Sequence, residues 1–513
     1  MQELHTPGLA VQWLRKNVTG TLLADSRKVK PGDGFIAWPG AVADPRGHVA
    51  DALSRGASAC LVELEGAEKF GFSDGRIGHY AGLKAGAGAI ASEFFGSPSH
   101  ELALVAVTGT NGKTSTAWWL AQALSALPAS LALPCGVIGT LGVGRPPAAD
   151  AAGSGALSGS VSPTGFTTPD PVLLQQTLRQ FVDSGLRACV IEASSIGLEE
   201  HRMNATHIRV AIFTNFTQDH LDYHGSMEAY WQSKRKLFAW PGLASAVINV
   251  DDPRGAELAA AMDSAELDVW TVSAQKAARL QARNITYEAH GLQFEVLEGN
   301  AAQLLRTRMI GSYNVSNLLG VLAAMRCLGI SLEAAVQACG SLHPVPGRME
   351  CLGDEGQPTV AVDYAHSPDA LAQALSALRP LATQRGGRLW CVFGCGGDRD
   401  ASKRPLMGAI AAQNADQVVV TSDNPRSEKP EAIISQILLG LSKSQSVEVQ
   451  SDRALAIADA VSRAMPADVI LIAGKGHEES QEISGVKHPF SDRAHAEQAL
   501  RIRQPPVVGA AKP

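Results

Sequence analysis

Short apolar runs recur along this chain, at residues 59–62, 102–107, 188–191, 210–213, 246–250, 360–362, 389–393, 418–420 and 469–472, with Asn249 the one polar residue among them. Runs of this length that do not alternate suit strands buried on both faces of a parallel sheet. Between them lie segments with helical spacing, such as 314–328 and 369–378, and this alternation predicts βαβ units. Turn-rich punctuation divides the pattern. Lys30-Pro31-Gly32-Asp33-Gly34 marks a small mixed α/β unit over residues 1–98. A central unit with a mainly parallel sheet is predicted over 99–344, and a Rossmann-like α/β unit over 345–513, opening at Pro344-Val-Pro-Gly347. The Ala-, Gly-, Ser- and Pro-rich stretch 145–163 reads as a loop.

One segment changes the picture locally. Residues 114–144 carry no charge, a length compatible with a membrane span. Pro128, Pro134, several serines, Gly136 and Gly139 interrupt it, so the reading is a buried helix, a turn and a buried strand. No basic segment followed by an apolar one marks a signal peptide at residues 1–12. Membrane insertion is therefore not expected.

At 513 residues, about three domains fit. The net charge of −6 argues against nucleic acid as the main partner. Eight scattered cysteines without a CxxC pair predict free thiols in a reducing compartment, hence a cytoplasmic protein, and no structural zinc.

The predicted strands end in chemistry. Thr108-Gly109-Thr110-Asn111-Gly112-Lys113-Thr114-Ser115 follows one buried run and opens a helix. Glycines there let backbone N–H groups converge on phosphate oxygens, Lys113 reaches the outer phosphates and Thr114 can ligate Mg²⁺. The spacing departs from the usual phosphate loop, with Val107 where a first glycine is expected. Glu192 ends another run and offers a hard oxygen for Mg²⁺. Asp219-His220-Leu-Asp222 and His224 crowd a third strand end, where His220 could bind metal or orient a carboxylate. On the residues alone, Lys234, Arg235 and Lys236 read as a solvated helix face. Arg399 and Arg404 offer forks for carboxylates. Asp423-Asn424-Pro425-Arg426 is either a capped surface turn or a zwitterion site. Ligands of open α/β sheets bind at the carboxyl ends of strands, so a site between two units is predicted.

Taken together, Asp25-Ser-Arg27, the phosphate loop, Thr167-Thr-Pro169, Glu192-Ala-Ser-Ser195, Asp219-His-Leu-Asp222, Lys234, Asn314-Val-Ser-Asn317, Gly347-Arg-Met-Glu350, Asp363-Tyr-Ala-His366, Gly396-Gly-Asp-Arg399, Asp423-Asn-Pro-Arg426 and Gly474-Lys-Gly-His-Glu478 resemble the Mur ligases in order and over essentially the whole chain. The resemblance implies an ATP-dependent amide ligase that adds meso-diaminopimelate to UDP-MurNAc-L-Ala-D-Glu through an acyl phosphate, acting as a monomer. Ala24, Ser26, Ala41, Val42 and Ala43 would hold the uridine diphosphate. Gly109 to Ser115, with Asn317, Arg348 and Asp363, would hold ATP. Thr167, Thr168, Ser194, Glu200 and Arg202 would hold the muramoyl dipeptide. Arg399, Asp423, Asn424, Pro425, Arg426, Gly474 and Glu478 would hold diaminopimelate, with Arg426 on its distal carboxylate. Lys234 matches a lysine that becomes a carbamate, and with Thr114, Glu192 and His220 would form the Mg²⁺ site; Lys113, Lys234, His220 and Glu192 would carry catalysis.

Three features depart from the resemblance: Glu200 replaces a glutamine, Ile196 a histidine, and the 145–163 loop is long. A ligase adding L-lysine, or an ATP-binding regulator without ligase activity, would retain the phosphate loop. Closure of the third unit near Pro344–Gly347 is expected.

Overall fold

The computed structural model describes residues 2–40, 43–147, 160–262, 266–288, 291–441 and 447–503. Three sheets organise them, with one further hairpin, Ser480–Ile483 paired with Val486–Pro489.

The N-terminal sheet is parallel throughout, in spatial order Gln2–Glu3, Ile77–Tyr80, Ala59–Glu63, Gly34–Ala37 and Leu22–Leu23. The helices Pro7–Asn17 and Leu83–Phe94 cover one face through Ala10, Leu14, Ile90 and Ala91. Val172, from the helix Pro171–Asp183 of the next unit, joins the same core.

The central sheet has eleven strands among the described residues. Its parallel part runs Leu280–Glu288, Asp268–Ser273, Ser245–Asn249, Val210–Phe213, Ala103–Thr108, Ala188–Glu192 and Cys135–Gly139. Along Ala103–Thr108, Val105 and Val107 pack into one core with Trp119 and Leu318, while Leu104 and Ala106 pack into another with Leu178 and Ile208. Burial on both faces is why the run carries no polar alternation. Later strands add on either side of Ala103–Thr108, so its carboxyl end is a topological switch point, the place where open α/β sheets bind ligands.

The uncharged stretch resolves as expected. The helix Lys113–Ser125 is buried from Thr114 to Leu124, and the strand Cys135–Gly139 follows. Among the described residues no helix is long and apolar enough to cross a membrane. The loop expectation for 145–163 needs one correction. Val161–Ser162 pairs antiparallel with Gly142–Gly144 and extends the sheet, while 148–159 lie outside the described residues.

At the opposite edge an antiparallel meander, Leu280–Glu288, Gly291–Glu298 and Ala301–Arg306, was not foreseen. The register shifts between Arg283 and Thr286, and Asn284 has φ 52°. Leu280 and Ala282 face the core before this bulge, and Ile285 and Tyr287 after it. The inward phase flips from even to odd positions, which hides the period-two pattern.

The C-terminal sheet runs Glu350–Leu352, Thr359–Asp363, Val469–Ala473, Leu389–Phe393, Gln417–Val420 and Val447–Val449, parallel except at its first strand.

Candidate functional site

The phosphate loop leaves the strand Ala103–Thr108 and ends at the N-terminus of Lys113–Ser125. Gly112 caps that helix at φ 82°, and a Cβ there would collide with Asn317. A glycine is therefore required by conformation and by space. The loop is anchored from the neighbouring strand end. Thr110 Oγ1 accepts from Thr217 N (2.9 Å) and from the Tyr230 hydroxyl (3.2 Å). Asn111 N donates to Asn215 Oδ1 (2.8 Å), and the Thr214 hydroxyl donates to Asn111 O (2.6 Å).

Two lysines converge here. Lys113 Nζ donates to Gly109 O (2.9 Å) and Thr110 O (2.8 Å). Lys234 Nζ, 1% exposed, donates to the same Gly109 O (2.8 Å) and lies 4.4 Å from the centre of the Tyr230 ring. This corrects the reading of residues 234–236 as a solvated face. Arg235 and Lys236 are exposed, but Lys234, on the helix Met227–Arg235, points into the core beneath the loop. Burial pulls the Lys234 amine well below its usual pKa; the Lys113 charge adds to this and Asp219 opposes it. Burial also lowers Lys113, against Glu192 and Asp219.

Glu192 ends its strand fully buried. Its Oε2 accepts from the Thr114 hydroxyl (3.0 Å) and the Thr140 hydroxyl (3.0 Å), and its Oε1 from Thr140 N (2.8 Å). Thr140 was not singled out from sequence; only the fold brings it to Glu192.

His220 adopts φ 52° at the head of its loop, with Nε2 3.6 Å from Asp219 Oδ2. Burial lowers the His220 pKa, with Lys113 and Lys234 adding to the effect, although Asp219 and Asp222 oppose it. Burial disfavours ionisation of Asp219, but His220, His366 and Lys113 together hold its carboxyl below the usual range.

The C-terminal unit approaches the phosphate loop. Arg348 Nη2 lies 3.4 Å from Thr114 Oγ1, and its guanidinium stacks 4.3 Å from the Tyr364 ring centre. Asp363 accepts from Met349 N (2.8 Å) and Ala365 N (2.9 Å); burial raises its pKa against the pull of Arg348. Asn317 is buried and donates to Asn314 Oδ1 (3.0 Å). Asp369, absent from the sequence reading, accepts from Asn111 Nδ2 (3.0 Å) and Thr217 Oγ1 (3.3 Å).

Beyond Glu192 the surface continues into hydroxyls. Thr167 Oγ1 is 3.1 Å from Thr140 Oγ1, Thr168 Oγ1 is 2.9 Å from Ser194 Oγ, and Arg202 Nη1 donates to Thr168 O (2.9 Å). Glu200 is engaged by Lys84 and Tyr223. Ser26 is buried in a short 3-10 turn, Ser26–Lys28, capped by Asp25, and Ala24 precedes it. Ala43 is described, whereas Ala41 and Val42 lie outside the described residues.

The third cluster gathers at the carboxyl ends of the C-terminal sheet. Arg426 takes φ 51° and is fixed by the hairpin: its N donates to Glu482 O (3.0 Å) and its O accepts from Ser484 N (2.7 Å). Gln481 Nε2 donates to Asp423 O (2.6 Å), and Glu482 N to Asn424 Oδ1 (3.0 Å). The Arg426 guanidinium reaches Gly397 O (2.7 Å). Glu478 accepts from Asn424 Nδ2 and Lys475 Nζ, both at 2.8 Å. Gly474 has φ 120°, and a Cβ there would collide with Asp423. Pro425 lies within this turn and Arg399 is exposed at its rim. Arg404 is not a free fork: it is 1% exposed and bound to Glu428, Gln436 and Gly396 O. Beneath the cluster Arg453 donates to Asp492, Ser422 O and Ala473 O; no local motif marked it.

No group of three His, Cys, Asp or Glu side chains among the described residues forms a preassembled metal cage. Thr114 and Glu192 nevertheless present hard oxygens beside the loop, which suits Mg²⁺, an ion usually held by one or two carboxylates with substrate phosphates and water.

Residues 107–325 match the Mur ligase middle domain, and residues 347–476 the Mur ligase glutamate ligase domain. The chain belongs to the Mur ligase family. It is 59% identical over 510 residues to the UDP-N-acetylmuramoyl-L-alanyl-D-glutamate--2,6-diaminopimelate ligase of Acidovorax sp. (strain JS42), covering 98% of this chain and 99% of that one. It is 45% identical to the protein of the same name from Pseudomonas aeruginosa, over 94% and 96% of the two chains. A solved structure bearing that ligase name aligns with TM-score 0.64 at 34% identity, covering 94% of each chain. The fold is also shared with a MurF ligase from Thermotoga maritima in complex with ADP, at TM-score 0.62 and 19% identity, over 95% of this chain and 97% of that one.

Proposed function

We propose that this chain joins meso-diaminopimelate to the D-glutamate carboxylate of UDP-MurNAc-L-Ala-D-Glu, with hydrolysis of ATP to ADP and phosphate. The observation that carries the reading is the approach of Arg348, from the C-terminal unit, to Thr114 of the phosphate loop. It brings a cation of the C-terminal unit to the phosphate loop, and Tyr364, over whose ring that guanidinium lies, is within electrostatic reach of Asp423, Arg426 and Glu478. The relatives' names supply the substrate class.

In this reading the units over 1–98, 99–344 and 345–513 position the uridine end, the nucleotide and the amino acid. A carboxylate oxygen of the D-glutamate attacks the γ-phosphorus of ATP, the bond to the bridging oxygen breaks, and ADP leaves. The diaminopimelate amine then attacks the acyl carbon, loses a proton, and phosphate departs with its bond to that carbon. Positioning and charge neutralisation supply most of the catalysis. Lys113, now turned onto the loop's own carbonyls, exchanges those contacts for phosphate oxygens. Arg348 adds a second cation from the opposite wall. Magnesium, when bound at Thr114 and Glu192, supplies further neutralisation of phosphate charge. Thr168, Ser194 and Arg202 orient the dipeptide.

Lys234 is the carbamylation site in this reading. Its depressed pKa favours the neutral amine, whose nitrogen adds CO₂ and releases a proton. A carbamate there would keep one N–H able to donate to Gly109 O and would supply anionic oxygens suited to Mg²⁺. Arg426 pairs with the distal carboxylate of diaminopimelate, which L-lysine lacks. A monomer is part of this reading. Eight free cysteines support a reducing, cytoplasmic setting.

Phosphate release with ATP, Mg²⁺ and UDP-MurNAc-L-Ala-D-Glu tests the reading. Dependence on diaminopimelate supports it, dependence on L-lysine overturns the role of Arg426, and no release with either amine leaves the regulator reading.

A further inference from the structure

Glu200 poses an electrostatic problem that the fold answers. Its carboxylate stands two residues from Arg202 in the region assigned to an anionic dipeptide, where a neutral glutamine would suit the ligand better. Both of its oxygens are occupied. Lys84 Nζ pairs with Oε2 at 2.7 Å, and the Tyr223 hydroxyl donates to Oε1 at 2.6 Å. Lys84 comes from the helix Leu83–Phe94 of the N-terminal unit, Glu200 follows the helix Ser195–Glu199, and Tyr223 lies on Leu221–His224 beside His220. The helix carrying Lys84 is seated here by a second contact, Asn204 Nδ2 to Ala85 O at 3.2 Å. The pair is only partly exposed, 35% for the Lys84 side chain and 20% for that of Glu200. Arg202 is close enough to act on Glu200 electrostatically, although burial is the largest single influence on that carboxyl.

From this juxtaposition we infer that Lys84 is a positioning residue for the UDP-linked dipeptide: it neutralises Glu200 across the boundary between the first two units and so leaves the Arg202 guanidinium available to a substrate carboxylate. Without Lys84, the Glu200 carboxylate competes with the substrate for Arg202 and repels it directly. A carboxylate at position 200 thus requires a cation at position 84, whereas an amide there does not. Tyr223 fixes the other oxygen, so the same carboxylate ties the loop of His220 to this arrangement.

The inference rests on the proposed dipeptide substrate, and the test separates the two. KM for UDP-MurNAc-L-Ala-D-Glu, KM for ATP and kcat are measured for the unsubstituted protein, Lys84→Met, Lys84→Arg and the double variant Lys84→Met/Glu200→Gln. The expected result is a roughly tenfold rise in the dipeptide KM for Lys84→Met, with KM for ATP and kcat moving far less, as loss of one partner from a partly buried pair beside an anion predicts. Lys84→Arg restores most of the affinity, and the double variant recovers most of it by removing the stranded charge. An unchanged dipeptide KM in Lys84→Met overturns the inference, as does a double variant no better than Lys84→Met, which would make the pair a mere brace between units. Lack of turnover by the unsubstituted protein would overturn the proposed substrate, and this inference with it.

Discussion

Lys113 and Lys234 donate to one oxygen, the carbonyl of Gly109, at 2.9 and 2.8 Å. They reach it from two different helices, Lys113 from the first turn of the loop's own helix and Lys234 from Met227–Arg235. Two ammonium groups on one acceptor repel each other, and burial removes the water that would screen them. The cheaper state has Lys234 neutral, which a reaction with CO₂ requires. Removal of CO₂ and bicarbonate should therefore lower activity, and added bicarbonate should restore it. Lys234→Ala should lose activity that bicarbonate does not return. Full activity in that variant would remove the carbamate from the mechanism.

Glu192 accepts three hydrogen bonds, from Thr114 and twice from Thr140, and is the buried carboxylate nearest the phosphate loop's hydroxyl. Glu192→Gln keeps the shape but removes the charge. We expect kcat/KM to fall by about a hundredfold or more, with a higher Mg²⁺ requirement, in keeping with the loss of an oriented anionic partner of a catalytic metal. An Mg²⁺ titration that coincides with that of the unsubstituted protein would show that Glu192 does not hold the ion.

Arg426 is held in a left-handed conformation by both of its backbone groups, so the hairpin aims its side chain rather than the turn alone. Arg426→Ala should raise KM for diaminopimelate by about a hundredfold, the scale of one charge-assisted bidentate contact, and leave KM for ATP near its original value. Equal loss for both substrates would point to collapse of the turn instead.

Arg453 and Asp492 are a fully buried pair at 2.7 Å, and Arg453 also binds Ala473 O, which ends one strand, and Ser422 O, two residues beyond the end of another. Removing one partner strands a charge. Arg453→Met should cost about 3–5 kcal/mol in urea unfolding, and Arg453→Met/Asp492→Asn should cost less than the single change. A loss under 1 kcal/mol would show that the pair does not hold the strand ends.

His477 contacts the Tyr364 ring and is pushed down to about 4, first by burial and then by the charges of Arg348 and Lys475. Its folded pKa lies below the unfolded value of 6.5, so between the two the unfolded chain binds a proton that the folded chain does not. This group's contribution to stability is complete above about pH 6.5 and declines as pH falls toward 4. The urea midpoint should drop over that window, and His477→Gln should flatten the drop. Identical pH profiles for the two proteins would place the acid sensitivity elsewhere.

The chain itself determined the strands buried on both faces, because such strands leave a local trace, a continuous apolar run of the right length. It also determined the phosphate loop, since glycines, a lysine and a hydroxyl must be adjacent to wrap one phosphate group, and the Asp423–Arg426 turn. Four neighbouring residues carry that turn. Only the tertiary structure decided what depended on distant partners. Lys234 lies in a charged local pattern that reads as surface; its burial is set by a loop 125 positions away. Thr140, Asp369, Lys84 and Arg453 act through partners 52, 258, 116 and 39 residues away in turn, and no local period encodes such pairings. The meander beyond residue 280 escaped for a different reason. One bulged residue, Asn284, reverses which positions face inward, and a period-two signal cannot survive a change of phase that only the pairing of strands reveals.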